Sequence, residues 1–222
     1  MPGNEDVVRA ITVGSECLYR GTLPADKLLQ RIQQVQKTFH NVQVGTVDSW
    51  NKFNDGSADP IIQGGVTYLL ANGFAYWQSQ NINNATNTYF DDMSQAMHHI
   101  QDVAGDNKDQ IRFGNGETGW PTGKSLSLSL SLYSVHAWKL RPVTDGGSNY
   151  GAATASTANA ERYWQEAVCG ILAWGVDVFY FEAFDESWKP ESKGDNGQMM
   201  NEKHWGLLTD DRKPKFNMTC PK

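Results

Sequence analysis

The feature that most constrains this chain is the rhythm of its apolar residues. Runs of a strand's length alternate with stripes of helical period. Residues 8–13 read as a buried strand that closes at Gly14-Ser15-Glu16. Leu28, Ile32, Val35 and Phe39 then recur at spacings of four, three and four, which is one face of a helix. Pro24 falls in its first turn, where a missing N–H costs little. Further strands are expected at 42–47, ending in Asp48-Ser49-Trp50, and at 66–72, running into Gly73-Phe74-Ala75-Tyr76-Trp77. Met93, Met97 and Ile100 predict a helix that Gly105 can end. Residues 110–113 lead into Gly116-Glu117-Thr118-Gly119-Trp120-Pro121. Tyr163, Ala167, Ile171 and Trp174 predict a helix stopping at Gly175, and 176–181 is the last strand, ending at Glu182-Ala183-Phe184-Asp185-Glu186. Such alternation implies an α/β fold with a parallel sheet. Polar and aromatic residues gather where the strands end, which is the active face of a (β/α)8 barrel. A doubly wound sheet also binds ligands there. No glycine-rich phosphate loop is present, which argues against a nucleotide.

Composition narrows the classes further. At 222 residues and 39% hydrophobic the chain suits one globular domain. Its net charge of -6 excludes the basic footprint of a nucleic-acid binder. Eight Trp and eight Tyr offer flat faces for sugar rings, although filling a core is their commoner use. No stretch approaches the roughly 18 apolar residues of a membrane span, and Met1-Pro2-Gly3-Asn4 reads as a start without a signal peptide. Cys17, Cys169 and Cys220 lack metal-ligand spacing, so neither a metal nor an organic cofactor is expected. Asn84-Ala85-Thr86 and Asn217-Met218-Thr219 are glycan acceptors only in a secreted protein.

Glu16 and Glu117 end two different strands. Paired carboxylates on one barrel face are what glycoside hydrolysis requires: one protonates the leaving oxygen, and the other attacks or activates water. On spacing alone, a solvated loop Glu is the commoner occupant of such places. The neighbouring residues carry more. Gly116-Glu117-Thr118-Gly119-Trp120-Pro121-Thr122 resembles the nucleophile motif of glycoside hydrolase family 17, and Val13-Gly14-Ser15-Glu16 resembles its acid/base segment. Residues 44–50, 72–77 and 181–186 resemble its intervening and final strand ends, in order along nearly the whole chain. The resemblance points to the fungal cell-wall branch, whose members cleave β-1,3-glucan and often rejoin it to another glucan chain.

That resemblance implies Glu16 as general acid/base and Glu117 as nucleophile of a retaining reaction, with carboxylates about 5–5.5 Å apart. It implies sugar contacts from Trp50, Asn72, Phe74, Tyr76, Trp77, Trp120, Glu182, Asp185 and Trp188. Ser15 stands where many related barrels carry Asn, so that residue's bond to a sugar hydroxyl is made differently or through water. The implied protein is a secreted, monomeric cell-wall enzyme with β-1,3-glucan as partner, bound to neither nucleic acid nor membrane. The alternative is an inactive glucan-binding or wall-structural remnant. The strand before Glu16 corresponds to the family's fourth, so residues 1–222 read as a partial catalytic domain: an incomplete (β/α)8 TIM barrel holding strands four to eight. A chain so truncated is expected to be unstable and to have little activity. A disulfide between Cys169 and Cys220 is expected, because the C-terminus should fold back over the helix before the last strand; Cys17 should stay free and buried.

Residues 124–144 do not fit the family pattern and are expected to lie outside the core. Gly123-Lys124-Ser125 can be encoded by GGT-AAG-TCT, which holds the donor-like string GTAAGT, and a TC repeat encodes the Ser-Leu alternation that follows. Thr144-Asp145 can supply an acceptor AG. The alternation fits an amphipathic strand, but the splice-like strings favour reading the segment as a retained intron. The spliced transcript is expected to join Thr122 to Asp145, giving Trp-Pro-Thr-Asp-Gly-Gly; a mature transcript that keeps the Ser-Leu codons refutes this.

Overall fold

The computed structural model describes residues 7–123, 149–193 and 199–221. The intron expectation at Lys124–Thr144 lies outside the described residues. The chain packs as two compact units. The first comprises Met1–Phe74, Asn87–Thr118 and Gly170–Tyr180; the second comprises Ala75–Thr86, Gly119–Cys169 and Phe181–Lys222.

The first unit is built on five parallel strands whose spatial order is their chain order: β1 (Ala10–Ser15), β2 (Gln43–Ser49), β3 (Tyr68–Asn72), β4 (Arg112–Thr118) and β5 (Asp177–Tyr180). Helix α1 (Ala25–Thr38) follows β1 and buries Leu28 and Ile32, the centre of the apolar stripe. Pro24 is its N-cap residue, so the proline ring stands just ahead of the first turn. Two short helices, α2 (Trp50–Asn54) and α3 (Asp59–Gln63), separate β2 from β3. Helix α4 (Ile82–Ala104) precedes β4 and passes at Gly105 into a 3-10 turn, Gly105–Gln110. Every residue of β3 is buried, as both faces of a covered parallel strand should be.

The sheet is curled. In a flat sheet, β1 and β5 would stand four strand spacings apart, about 19 Å. Yet Arg9, one residue before β1, donates to both carboxylate oxygens of Asp177 at the start of β5, at 3.2 and 3.0 Å. Arg112 on β4 donates to the same carboxylate at 2.7 Å. Val47, Tyr68 and Leu70 cluster in the core of this unit, with Ala10 of β1 against them.

The second unit has an aromatic core. Tyr76 stands edge-on to Trp120 and to Trp205, with centroids 5.1 and 5.3 Å apart, and Trp77 stacks on Trp205 at 5.2 Å. Trp120 also meets Tyr163, on α5 (Thr157–Tyr163). Ser156 caps α5 by accepting from the Asn159 N–H. A π turn, Trp164–Val168, carries the helix on to α6 (Cys169–Ala173), so the one predicted helix is three consecutive segments. The C-terminal tail lies along it: Trp164 and Gln165 donate to the carbonyls of Met218 and Asn217. Cys169 and Cys220 form the expected disulfide, with Cα atoms 5.4 Å apart, and Cys17 is free and buried. Two two-residue strands, β6 (Ser192–Lys193) and β7 (Met199–Met200), pair antiparallel. Among the described residues no helix is long and apolar enough to cross a membrane.

The bridge closes a loop of 51 residues in sequence. Replacing Cys169 and Cys220 together by Ser should lower stability by about 2–4 kcal/mol, since an open loop returns entropy to the unfolded chain. Thermal unfolding with and without reductant measures this; an unchanged midpoint would argue against a stabilising bridge.

Candidate active site

Both candidate catalytic carboxylates lie in the first unit, Glu16 just past an irregularity of its strand and Glu117 within one. Between Thr12 and Ser15 strand β1 advances three residues while β2 advances two, from Gly45 to Val47. Between Asn115 and Thr118 strand β4 likewise gains one residue on β5. Such bulges bend a strand and re-aim its side chains, and they concentrate beside active sites. A glycine marks each one. Gly14 has φ +78, where a side chain is strained. A Cβ on Gly116 would lie 2.3 Å from a methyl of Val47 and 2.7 Å from Asn72 Oδ1, so only glycine allows β4 to pack there.

Glu16 adopts φ 51, in the left-handed region that a glutamate rarely enters. Its side chain is 13% exposed. Asn72 Nδ2 donates to Oε1 at 3.0 Å, while Arg20 donates to Oε2 through Nε and a terminal nitrogen at 3.1 and 2.7 Å. Asn72 ends β3, is 2% exposed, and pairs in register with Glu117 of β4. The Gly73 N–H donates to the Glu117 carbonyl at 3.0 Å, and Asn115 Nδ2 donates to the same oxygen at 3.1 Å. Asn72 thus touches the Glu16 carboxylate with its side chain and pairs with the backbone of Glu117 through its own. This curled arrangement brings the ends of β1, β3 and β4 to one place.

The other expected contact residues are spread more widely. Ser15 is exposed, Trp50 and Phe74 are half-buried in the first unit, and Trp77 is half-buried in the second. Tyr76 and Trp120 are fully buried, so they offer packing contacts rather than open ring faces. Trp188 is 74% exposed. Glu182 and Asp185 belong to a charged cluster within the second unit. Lys189 donates to Glu182 and lies 3.0 Å from Glu186. Burial pushes the Glu182 carboxyl up to about 7, against the pull of Lys189 and with help from Glu186. Asp185 accepts from the Gly206 N–H at 3.0 Å, from Lys215 and from His204. Burial opposes its ionisation, but His204 and Lys215 outweigh that and hold it below the ordinary carboxylate value. Lys189, Lys215, Arg20 and Asp48 were not singled out by the sequence; only Arg20, four residues after Glu16, carried a readable signal, the helical-turn spacing of an ion pair.

Residues 2–140 match the family described as the BtgE/BtgC glycoside hydrolase domain, and residues 142–220 match Glycosyl hydrolases family 17. The chain belongs to glycoside hydrolase family 17. This family-17 chain is 52% identical to a glucan 1,3-beta-glucosidase of Arthroderma benhamiae over 99% of its own length and 64% of that protein's. It is 41% identical to a glucan 1,3-beta-glucosidase of Schizosaccharomyces pombe, over 97% and 59%. It therefore spans about three fifths of the length of the curated relatives it matches. Its fold is similar to that of a family 17 beta-1,3-glucanosyltransferase from Rhizomucor miehei, with TM-score 0.72 and 25% identity, covering 96% of this chain and 65% of that one.

The Glu182 cluster gives the family-17 chain a pH signature. A carboxyl whose folded pKa is raised from 4.5 to about 7 contributes stability that is full below about pH 4.5 and is lost as pH rises through about 7. Glu182→Gln should therefore shrink the fall in unfolding midpoint between about pH 4.5 and 7. A pH series of melting curves for both proteins tests this; parallel curves would overturn the assignment.

Proposed function

We propose that this chain carries the catalytic centre of a retaining enzyme that hydrolyses β-1,3-glucan and transfers its glycosyl groups, with Glu117 as nucleophile and Glu16 as general acid/base. The observation that supports this most directly is Asn72, hydrogen-bonded to Glu16 and paired with Glu117. The relatives' names point the same way: two are glucan 1,3-beta-glucosidases and one structural relative is a beta-1,3-glucanosyltransferase. In the proposed reaction Glu117 attacks the anomeric carbon as Glu16 protonates the departing glucan oxygen. The glycosyl-Glu117 ester then passes to water or to a second glucan hydroxyl, from which Glu16 takes the proton. Arg20 sits on an exposed side chain, so it is the partner of Glu16 that gives way to the glucan oxygen. Asn72 keeps its hold on the other carboxyl oxygen. Trp50 and Phe74 in the first unit are the proposed sugar contacts.

The five curled strands are read as strands four to eight of a (β/α)8 barrel, within a single partial catalytic domain. A secreted, wall-associated, monomeric protein is the matching setting, and the disulfide suits an oxidising compartment.

Proton NMR of laminari-oligosaccharide turnover should show the β-anomer appearing first. A 2-deoxy-2-fluoro-laminaribiosyl fluoride should label the peptide holding Glu117, as mass spectrometry would detect. Glu117→Gln should abolish labelling, and Glu16→Gln should slow glucan cleavage by about 10²–10⁴-fold, the usual contribution of a general acid. An α-anomer appearing first or a label elsewhere would overturn the proposal, and glucan binding with no turnover would favour the inactive remnant.

A further inference from the structure

We propose that Asp48 is a positioning residue that holds Glu16 in its working conformation; this rests on the reading of Glu16 as general acid/base. Asp48 lies near the end of β2 and is wholly buried. No cation pairs with it among the described residues. Its carboxylate instead accepts three backbone N–H groups: Leu18 at 2.8 Å, Tyr19 at 3.1 Å and Ser49 at 2.9 Å. The first two belong to the turn that begins at Glu16. A buried carboxylate without such bonds is expensive, and here the backbone donors are the compensation.

The turn needs such support. Glu16 sits at φ 51, a conformation that a non-glycine residue keeps only where its surroundings impose it. The bulge before it also frees backbone groups. Thr46, two residues before Asp48 and thus on the same side of β2, donates its hydroxyl to the Val13 carbonyl at 2.8 Å. Thr46 and Asp48 therefore grip the irregular stretch on both sides of Glu16. The Glu16 N–H donates to the Val47 carbonyl at 3.0 Å, so the backbone between them grips its centre. With the backbone fixed, the carboxyl meets Asn72 without a search through other turn geometries. Burial raises the Asp48 carboxyl above its ordinary value, and nearby Glu16 adds to the rise, so the two carboxylates feel each other.

Asp48→Asn tests this. It keeps the size of the side chain but replaces one acceptor oxygen with an NH₂ that faces backbone donors. Two readouts are used on the full chain. The first is alkylation of Cys17, the only free thiol and the residue next to Glu16. Asp48→Asn should speed its labelling under native conditions at least about tenfold, as expected when a buried loop loses hydrogen bonds. Ile61→Val, which trims the core at α3, outside the turn, should not. The second is leaving-group dependence. Asp48→Asn should slow laminari-oligosaccharide cleavage about 10²-fold, but slow fluoride release from laminaribiosyl fluoride less than about threefold, because fluoride needs little protonation. Glu16→Gln should give the same pattern. Unchanged Cys17 labelling, or equal slowing of both substrates, would overturn the role of Asp48. If Glu16→Gln itself slows both substrates equally, the acid/base assignment fails, and Cys17 labelling still decides whether Asp48 holds the turn.

Discussion

The first unit depends on how far its sheet bends. Five parallel strands in chain order would set Glu16 and Glu117 three strands apart if they lay flat. Bending makes a side chain on β1 a neighbour of one on β3, as Asn72 and Glu16 show. At the opposite end of the same strands, Arg9 reaches across to Asp177. The interior tolerates such curvature because bulk is absent where it would obstruct. Gly116 leaves room for Val47 and Asn72, and the space is filled by Val47, Tyr68 and Leu70 instead.

Curvature gathers the strand ends, and the two bulges then aim the side chains. The first inserts one residue just before Glu16, and the second spans Glu117. The disturbance leaves backbone groups without ladder partners, and buried ones must find others. Thr46 takes the Val13 carbonyl, Asp48 takes two N–H groups of the Glu16 turn, and Asn115 bridges the carbonyls of Ala71 and Glu117. Polar side chains within the covered strands thus follow from the bulges. They are the reason β2 reads Val-Gly-Thr-Val-Asp rather than as an unbroken apolar run.

Much of this was legible in the residues, and the gaps have physical causes. The strands showed as compact apolar runs, and Glu16 and Glu117 stood out because each follows a glycine-bearing strand end. The bulges did not show, since one extra residue alters register without altering composition. Asp48 looked like any acid at a strand end; its burial depends on N–H groups about thirty residues upstream. Met93, Met97 and Ile100 disclosed only the later turns of α4, because its first turns, Ile82-Asn83-Asn84-Ala85-Thr86, are rich in residues that favour loops. Trp174 matched the helical stripe but is 63% exposed, resting on Phe90 with ring centroids 4.5 Å apart. Its place just beyond α6 took it off the buried face. Tyr76 and Trp120 suited sugar or core equally by chemistry, and burial resolved them towards the core.

The identity of strand order and chain order has a consequence in time. A chain emerging from the ribosome adds each strand to the edge left by the one before it, so every strand after β1 meets a neighbour already made. The Glu16 turn gains its support as soon as β2 delivers Thr46 and Asp48. Asn72 arrives next with β3 and takes hold of a carboxyl already in place. Glu117 comes with β4, onto an edge that already carries Asn72. Glu16 is therefore held before Glu117 has been synthesised, and an error in β2 would be carried into every later stage of assembly.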